Sequence, residues 1–190
     1  MKTSHFAAAI LLFMTVILTG KSQTFDLSSK VFSAGVGIGS SLGSFDYSSQ
    51  IPAISIMYEQ GIAEAGNVGI ISIGGYAGYK SFSYETNSGT IRSQSKWNYT
   101  IIGVRGALHF TQIQNEKLDL YAGLMASYNL LNYSYEDNSG FDTGSSGNFG
   151  NTAGLTIFGG ARYYFNPNLA VFGELGYGVA FLNVGLAVKL

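Results

Sequence analysis

The chain has 190 residues, with 11% charged, 14% aromatic, 26 glycines, two prolines, no cysteine and a formal charge of −1. This balance excludes a disordered chain, and the lack of a basic surplus removes nucleic acid from the expected partners. Without cysteine, hydrogen bonding and packing must supply the stability that disulfides give many exported proteins.

Met1 and Lys2 precede an apolar run from Phe6 to Leu18, followed by Thr19, Gly20, Lys21 and Ser22. The run is shorter than the ~20 residues of a spanning helix, and the small residues Gly20 and Ser22 precede a cut at Gln23. Residues 1–22 therefore read as a cleavable secretory signal and 23–190 as one domain. No cysteine follows the run, which excludes lipoprotein processing. Loss of Lys2 and Lys21 leaves eight basic against eleven acidic side chains, a formal charge of −3. Beyond the signal no apolar stretch approaches ~18 residues, so any insertion into a membrane must be by strands.

Eight segments with a two-residue period follow, separated by clusters of Gly, Ser, Asn and Asp. From Val31 to Ser40, Phe32, Ala34, Val36 and Ile38 face one way and Gly35, Gly37 and Gly39 the other. From Ile51 to Gln60, Ile54, Ile56 and Tyr58 oppose Ser55, Met57 and Glu59, with Pro52 at a tolerable strand start. The third segment, Asn67 to Tyr84, carries Gly74 and Gly75 at its middle, which predicts a bend or bulge and leaves its faces unassigned. In the fourth, Lys96 to Phe110, Ile102, Val104, Leu108 and Phe110 oppose Gly103, Arg105, Ala107 and His109.

The fifth segment, Lys117 to Tyr133, has the strongest alternation: Leu118, Leu120, Ala122 and Leu124 against Asp119, Tyr121, Gly123 and Met125, and so on to Leu130. In the sixth, Thr152 to Phe165, Leu155, Ile157 and Tyr163 oppose Thr156, Gly160 and Arg162. In the seventh, Leu169 to Tyr177, Val171 and Leu175 oppose Phe172, Glu174 and Gly176. The eighth closes the chain, with Leu182, Val184, Leu186, Val188 and Leu190 on one face and Asn183, Gly185, Ala187 and Lys189 on the other. Bulky apolar groups on one side and small or polar ones on the other suit a barrel wall between lipid and a polar interior.

The connections support the same reading. Longer polar segments, Leu42 to Gln50, Glu85 to Ser95 and Ser134 to Asn151, alternate with short ones such as Asn166 to Asn168. Outer-membrane barrels pair short periplasmic turns with longer extracellular loops. Aromatic residues fall at strand ends, Phe110, Tyr163 and Phe165 at one level and Tyr84, Trp97, Tyr99, Tyr133 and Tyr177 at the other, which predicts two interfacial girdles.

The stretches His109-Phe110, Leu118 to Gly123, Gly160 to Phe165 and Glu174 to Gly178, followed by the final alternating strand, resemble the small OmpA-like and OmpX-like outer-membrane barrel proteins of Bacteroidota-type bacteria. The resemblance spans nearly the whole mature chain and is most specific from about Ile102 onward. It implies an integral outer-membrane protein. The family usually ends in an aromatic residue read by the barrel assembly machinery, where this chain has Leu190; Leu182, Val184, Leu186, Val188 and Leu190 stand as the assembly signal.

The expected fold is therefore all-β: a closed antiparallel eight-stranded transmembrane β-barrel, wound as an up-and-down meander. Glu59, Arg105, Asp119, Arg162 and Glu174 fall on interior faces and are expected to form a structural charge cluster filling the lumen. An Arg facing lipid at the midplane costs about 2–4 kcal/mol, whereas an enclosed one can pair with a carboxylate.

Other motifs point away from chemistry. Gly35, Gly37, Gly39 and Gly43 lack the spacing, the following Lys and the helix of a phosphate-binding loop, and read as small interior residues. His109 is the one histidine outside the signal; with no Ser and acid pattern beside it, neither a catalytic site nor a metal centre is expected, and no cofactor. The acidic stretch Ser134 to Asn151 reads as a solvated connector.

The expected function is a non-enzymatic outer-membrane barrel, structural or binding an extracellular ligand or surface partner through its loops, in contact with outer-membrane lipids and assembled by the barrel machinery. Three alternatives stand beside it: a narrow channel, a soluble lipocalin-like calyx with reversed sidedness, and a lipid A-modifying barrel enzyme.

Overall fold

The computed structural model describes residues 25–42, 48–88, 91–113, 115–137, 145–148 and 150–190. The expected secretory signal, 1–22, and Gly43 lie outside the described residues. Strands run in the order β1 (Lys30–Ile38), β2 (Ser49–Glu64), β3 (Gly69–Ser88), β4 (Ile91–Phe110), β5 (Leu118–Asp137), β6 (Ser145–Asn148), β7 (Thr152–Tyr164), β8 (Leu169–Tyr177) and β9 (Leu182–Lys189).

Apart from β6 and β7, neighbours in the chain pair antiparallel, and β9 pairs back onto β1 from Val31↔Lys189 to Ile38↔Leu182, which closes the sheet into a ring. Both β6 and β7 lie on β5, at Asn132↔Asn148 and then at Asn129↔Thr152, so they share one place in the wall and the barrel has eight staves. Closure leaves no edge strand along the ring.

Side-chain parity follows the sequence pattern. Phe32, Val36 and Ile38 of β1, Ile54 and Ile56 of β2, Ile102 and Val104 of β4, Leu155 and Ile157 of β7 and the five apolar residues from Leu182 to Leu190 are exposed on the outer wall. The alternate positions are buried within, where Val31, Met57, Ile101, Tyr121, Met125, Phe158 and Phe172 fill the space a small barrel encloses. A soluble calyx would place its apolar residues inside and its charges outside, the reverse of this arrangement.

Four details depart from the sequence pattern. Strand β3 has no bulge at Gly74 and Gly75; its register with β4 runs unbroken from Gly69↔Phe110 to Ser88↔Ile91. The irregularities fall in β2 instead, between Ile51 and Ile54 and between Gly61 and Ala63. The first contains Pro52, which has no N–H for the ladder. Gly74 answers a different need, because a Cβ there would run into the Tyr58 carbonyl of the neighbouring strand.

The polar segments Glu85 to Ser95 and Ser134 to Asn151 are not simply loops. Strands β3 and β4 continue through them, with Glu85 opposite Gln94 and Thr86 opposite Ser93, and β5 continues to Asp137 against both β4 and β6. A ladder is held by backbone groups and needs no apolar face where both sides are wet; the Gln94 amide donates to Glu85 at 2.7 Å. Because β1 stops at Ile38 and β8 at Tyr177, the wall formed by β3 to β6 rises above the rest of the rim.

The second aromatic girdle is differently composed. Tyr99 lies inside, edge-on to Phe82 at 6.1 Å, and Trp97 and Tyr133 pair at 5.5 Å with Trp97 packed against the core. Two-residue steps from Arg105 lead through Ile101 to Tyr99 and Trp97, so the parity that sends the arginine inward sends them with it. Tyr79, Tyr128 and Phe181 join Tyr177 on the outer surface toward this end. At the opposite end Phe32 meets Tyr58 at 4.9 Å, and Tyr163 meets Phe165 at 5.9 Å.

Finally, residues 25–29 fold into the end of the barrel where Leu190 also lies. Phe25 is buried inside, the Gly61 N–H donates to the Ser29 carbonyl, and the Leu190 N–H to that of Lys30. Short turns join the strands at this end; in one, the Asn166 carboxamide oxygen accepts from the N–H groups of Asn168 and Leu169.

Candidate functional site

The five expected cluster residues come from five strands and meet in one layer of the interior. Glu59 is on β2, Arg105 on β4, Asp119 on β5, Arg162 on β7 and Glu174 on β8, and all are buried. Register explains how they reach one another. Asp119 and Arg162 are direct cross-strand partners, with Arg162 Nη1 donating to Asp119 Oδ2 at 3.2 Å.

Glu59 and Arg105 flank Gly74 in the row that crosses β2, β3 and β4, so no side chain stands between them and Arg105 Nε comes within 3.5 Å of Glu59 Oε1. Tyr121 and Glu174 flank Gly160 in the same way, and the Tyr121 hydroxyl donates to Glu174 Oε1 at 2.9 Å. A Cβ at Gly160 would lie 2.8 Å from both Glu174 Cγ and the Tyr121 hydroxyl oxygen, so glycine is required for this contact.

The layer is continuous. Arg105 grips Glu174 with both terminal nitrogens, at 2.6 and 3.5 Å. Arg162 Nη2 donates to Glu59 Oε2, so Glu59 bridges the two arginines. The guanidinium groups also lie over aromatic faces, Arg105 at 4.1 Å from the Phe158 ring and Arg162 at 4.5 Å from Tyr121. Three carboxylates thus face two guanidinium groups in a space where an unpaired charge is costly.

Sequence reasoning placed His109 on the inner face but gave it no partners, and the fold supplies two. Its Nδ1 lies 2.8 Å from Asp119 Oδ1 and its Nε2 3.1 Å from Ser72 Oγ. The register that brings Ser72 and Asp119 to it spans β3, β4 and β5, and no local sequence pattern reports it. Phe25 stacks flat on the imidazole, with centroids 3.6 Å apart and 4° between planes.

Acid, imidazole and hydroxyl in this order have the connectivity of a hydrolytic triad. The surroundings oppose that use. Ser72 Oγ also lies 3.4 Å from Glu59 Oε1, and a carboxylate there would repel the negative charge that develops in acyl transfer. All three groups are buried, and Phe25 covers the ring. In this setting the Ser72, His109 and Asp119 contacts extend the ionic layer.

Beyond this layer the interior opens. A void of about 30 Å³ adjoins Arg105, Glu174 and Asn183, and above it a cavity of about 350 Å³ lies between the ends of β1, β4, β5, β7 and β8, lined by residues that include Tyr99, Ser127, Asn129 and Thr156. The Lys80 ammonium is held by the Gly39 carbonyl at 3.5 Å and lies 5.1 Å from the Phe82 ring centroid. The glycines expected inside divide: Gly35 and Gly37 line the interior, a Cβ at Gly35 standing 2.7 Å from both Asn183 Oδ1 and Phe172, whereas Gly39 follows β1 with φ of +73° and serves a turn. Among the described residues no group of His, Asp and Glu has the arrangement of a metal site.

No family model matches the chain, and no curated protein sequence matches it. Solved structures that are similar to it include three bacterial proteins. The N-terminal barrel domain of Pseudomonas aeruginosa OprF has 12% identity over 86% of this chain and 98% of that one, with a TM-score of 0.48. Ail, the attachment invasion locus protein of Yersinia pestis, in complex with the heparin analogue sucrose octasulfate, has 16% identity over 85% and 93%, with a TM-score of 0.43. Neisserial surface protein A has 18% identity over 85% and 96%, with a TM-score of 0.40.

Proposed function

We propose that the protein is an integral outer-membrane barrel without enzymatic activity, that its interior is closed by a structural ionic layer, and that it binds surface partners through the raised wall of β3 to β6. The observation that carries this reading is sidedness: Ile157, Leu175 and Leu186 are exposed on the outer wall, and Arg105, Arg162, Glu59, Asp119 and Glu174 are enclosed. In water such an outer wall would be a large unprotected apolar surface; in a bilayer it is the stable one.

Export by a cleaved signal and assembly through the C-terminal residues Leu182, Val184, Leu186, Val188 and Leu190 belong to this proposal. The packed layer of Arg105, Glu174 and Glu59 weighs against the narrow-channel reading, since conduction would require breaking buried ion pairs. The wet extension of β3 to β6, with polar residues such as Glu85, Thr86 and Asn87 exposed, is the surface that a partner would meet.

Fractionation of the producing cells tests the reading. The protein is expected in the sarkosyl-insoluble envelope and is expected to migrate faster on gels before boiling than after. Recovery in the soluble periplasmic fraction, with no effect of heating on mobility, would overturn it.

A further inference from the structure

We propose that the 350 Å³ cavity at the raised end of the barrel is a binding site for an uncharged, polyhydroxylated ligand of about disaccharide size. Its volume falls at the lower end of the range of small-molecule sites, about 300–1,000 Å³. Among the described residues its side-chain lining carries hydroxyl and amide groups and no charge: Ser41, Ser127, Asn129, Thr152, Thr156 and Tyr99 supply the polar atoms, and Leu42 and Val179 supply apolar contact.

Two of these hydroxyl-bearing residues are almost wholly enclosed by the wall. Tyr99 is 5% exposed and Thr156 8%, so each is held in place by the wall while it lines the cavity. A hydroxyl that borders the cavity can donate to and accept from a ligand that enters it. Beside them Ser127 Oγ donates to Asn129 Oδ1 at 3.2 Å, and Asn129 Nδ2 donates to Thr152 Oγ1 at 3.4 Å. That chain fixes the amide while leaving a second amide hydrogen and the Thr152 hydroxyl hydrogen for a ligand. Donors and acceptors therefore stand side by side, the pattern that matches sugar hydroxyls, which both donate and accept.

Charge selection follows from what the lining lacks. A carboxylate or ammonium entering the cavity would shed its hydration and find no counter-ion among the described residues of the wall. Lys80, the cross-strand partner of Tyr99, does not line the cavity and is engaged by the Gly39 carbonyl and the Phe82 ring. The proposal deepens the surface-binding reading and rests on it only for the direction in which the cavity opens.

The test is a titration of the full mature chain in lipid nanodiscs with maltose, a long dextran, glucuronic acid and glucosamine, followed by saturation-transfer NMR. Saturable binding of maltose identifies a free sugar as ligand, and binding of dextran identifies the end of a glycan; either upholds the site. Glucuronic acid and glucosamine are expected to bind at least about tenfold more weakly, because a charge without a partner is penalised. Tyr99→Phe and Thr156→Val, each with retained heat-modifiable mobility, are expected to weaken binding about three- to tenfold by loss of one hydrogen bond. Absence of saturable binding by both neutral sugars, equal binding of all four probes, or unchanged affinity in both variants would overturn the proposal. Binding by a protein that fails the envelope fractionation would uphold the site and reject the membrane reading.

Discussion

Arg105 and Glu174, 69 positions apart in the chain, face each other inside the barrel with two guanidinium nitrogens 2.6 and 3.5 Å from two carboxylate oxygens. The pair joins β4 to β8 across the interior, so it ties together parts of the wall that share no backbone ladder. Replacing Arg105 by Leu leaves Glu174 buried beside a hydrocarbon chain. The expected loss is roughly 3–5 kcal/mol, read as a lower urea midpoint for unfolding in lipid vesicles. The double variant Arg105→Leu with Glu174→Leu is expected to recover part of that loss, and strict additivity would show that the two groups do not interact.

Gly160 makes room for the contact between Tyr121 and Glu174. Gly160→Val is expected to break that hydrogen bond by displacing both side chains, and Tyr121→Phe removes it without adding bulk. The phenylalanine variant is expected to cost about 1 kcal/mol and the valine variant more, in the same unfolding measurement.

Phe25 shields His109. Phe25→Ala is expected to make the imidazole reactive toward diethylpyrocarbonate, while the parent protein stays inert until unfolded. Removal of a buried aromatic ring is also expected to cost about 3–5 kcal/mol if the end of the barrel does not collapse around it. Equal reactivity of the two proteins would mean that residues 25–29 do not seal this end.

Asp26, in the turn that seats Phe25, has a pH signature of its own. Partial burial pushes its carboxyl up, but hydrogen bonds from Ser28 and Ser29 and the charge of Lys189 outweigh this and hold it below the ordinary 3.8. A depressed folded value means that the stabilisation is fully present above about 3.8 and is lost as pH falls through the lower, folded value. The stability difference between the parent and Asp26→Asn is therefore expected to be constant from pH 7 to about pH 5 and to shrink below about pH 4.

The sidedness of the wall was legible because strand parity is a period of two, and one misplaced residue would invert a whole face. Arg105, Arg162 and Glu174 could be placed inside for the same reason, since a charge on the apolar face would be expensive. Tyr99 and Trp97 stand near a strand end, where aromatic residues suit an interface, yet they share the parity of Arg105 and turn inward with it. The upper parts of β3, β4 and β5 were hidden because a strand wet on both faces has no hydrophobic period to read.

The partners of His109 were hidden for another reason. Ser72 and Asp119 meet it through the register of three strands, a long-range property that neither composition nor spacing encodes. Gly74 and Gly160 belong to the same class: each reads locally as a weak point in a strand, yet each stands between two side chains that pair across it.

Oxygen and nickel-complex accessibility of single nitroxide labels at Ile157, Leu175 and Leu186, in protein reconstituted into bilayers, tests sidedness most directly. Labels at Phe158 and Ala187 serve as the interior comparison. The account predicts that the first three are reached by oxygen dissolved in lipid and protected from the aqueous nickel complex, and that the interior pair is shielded from lipid oxygen. Outer-wall labels exposed to nickel and screened from oxygen would contradict it.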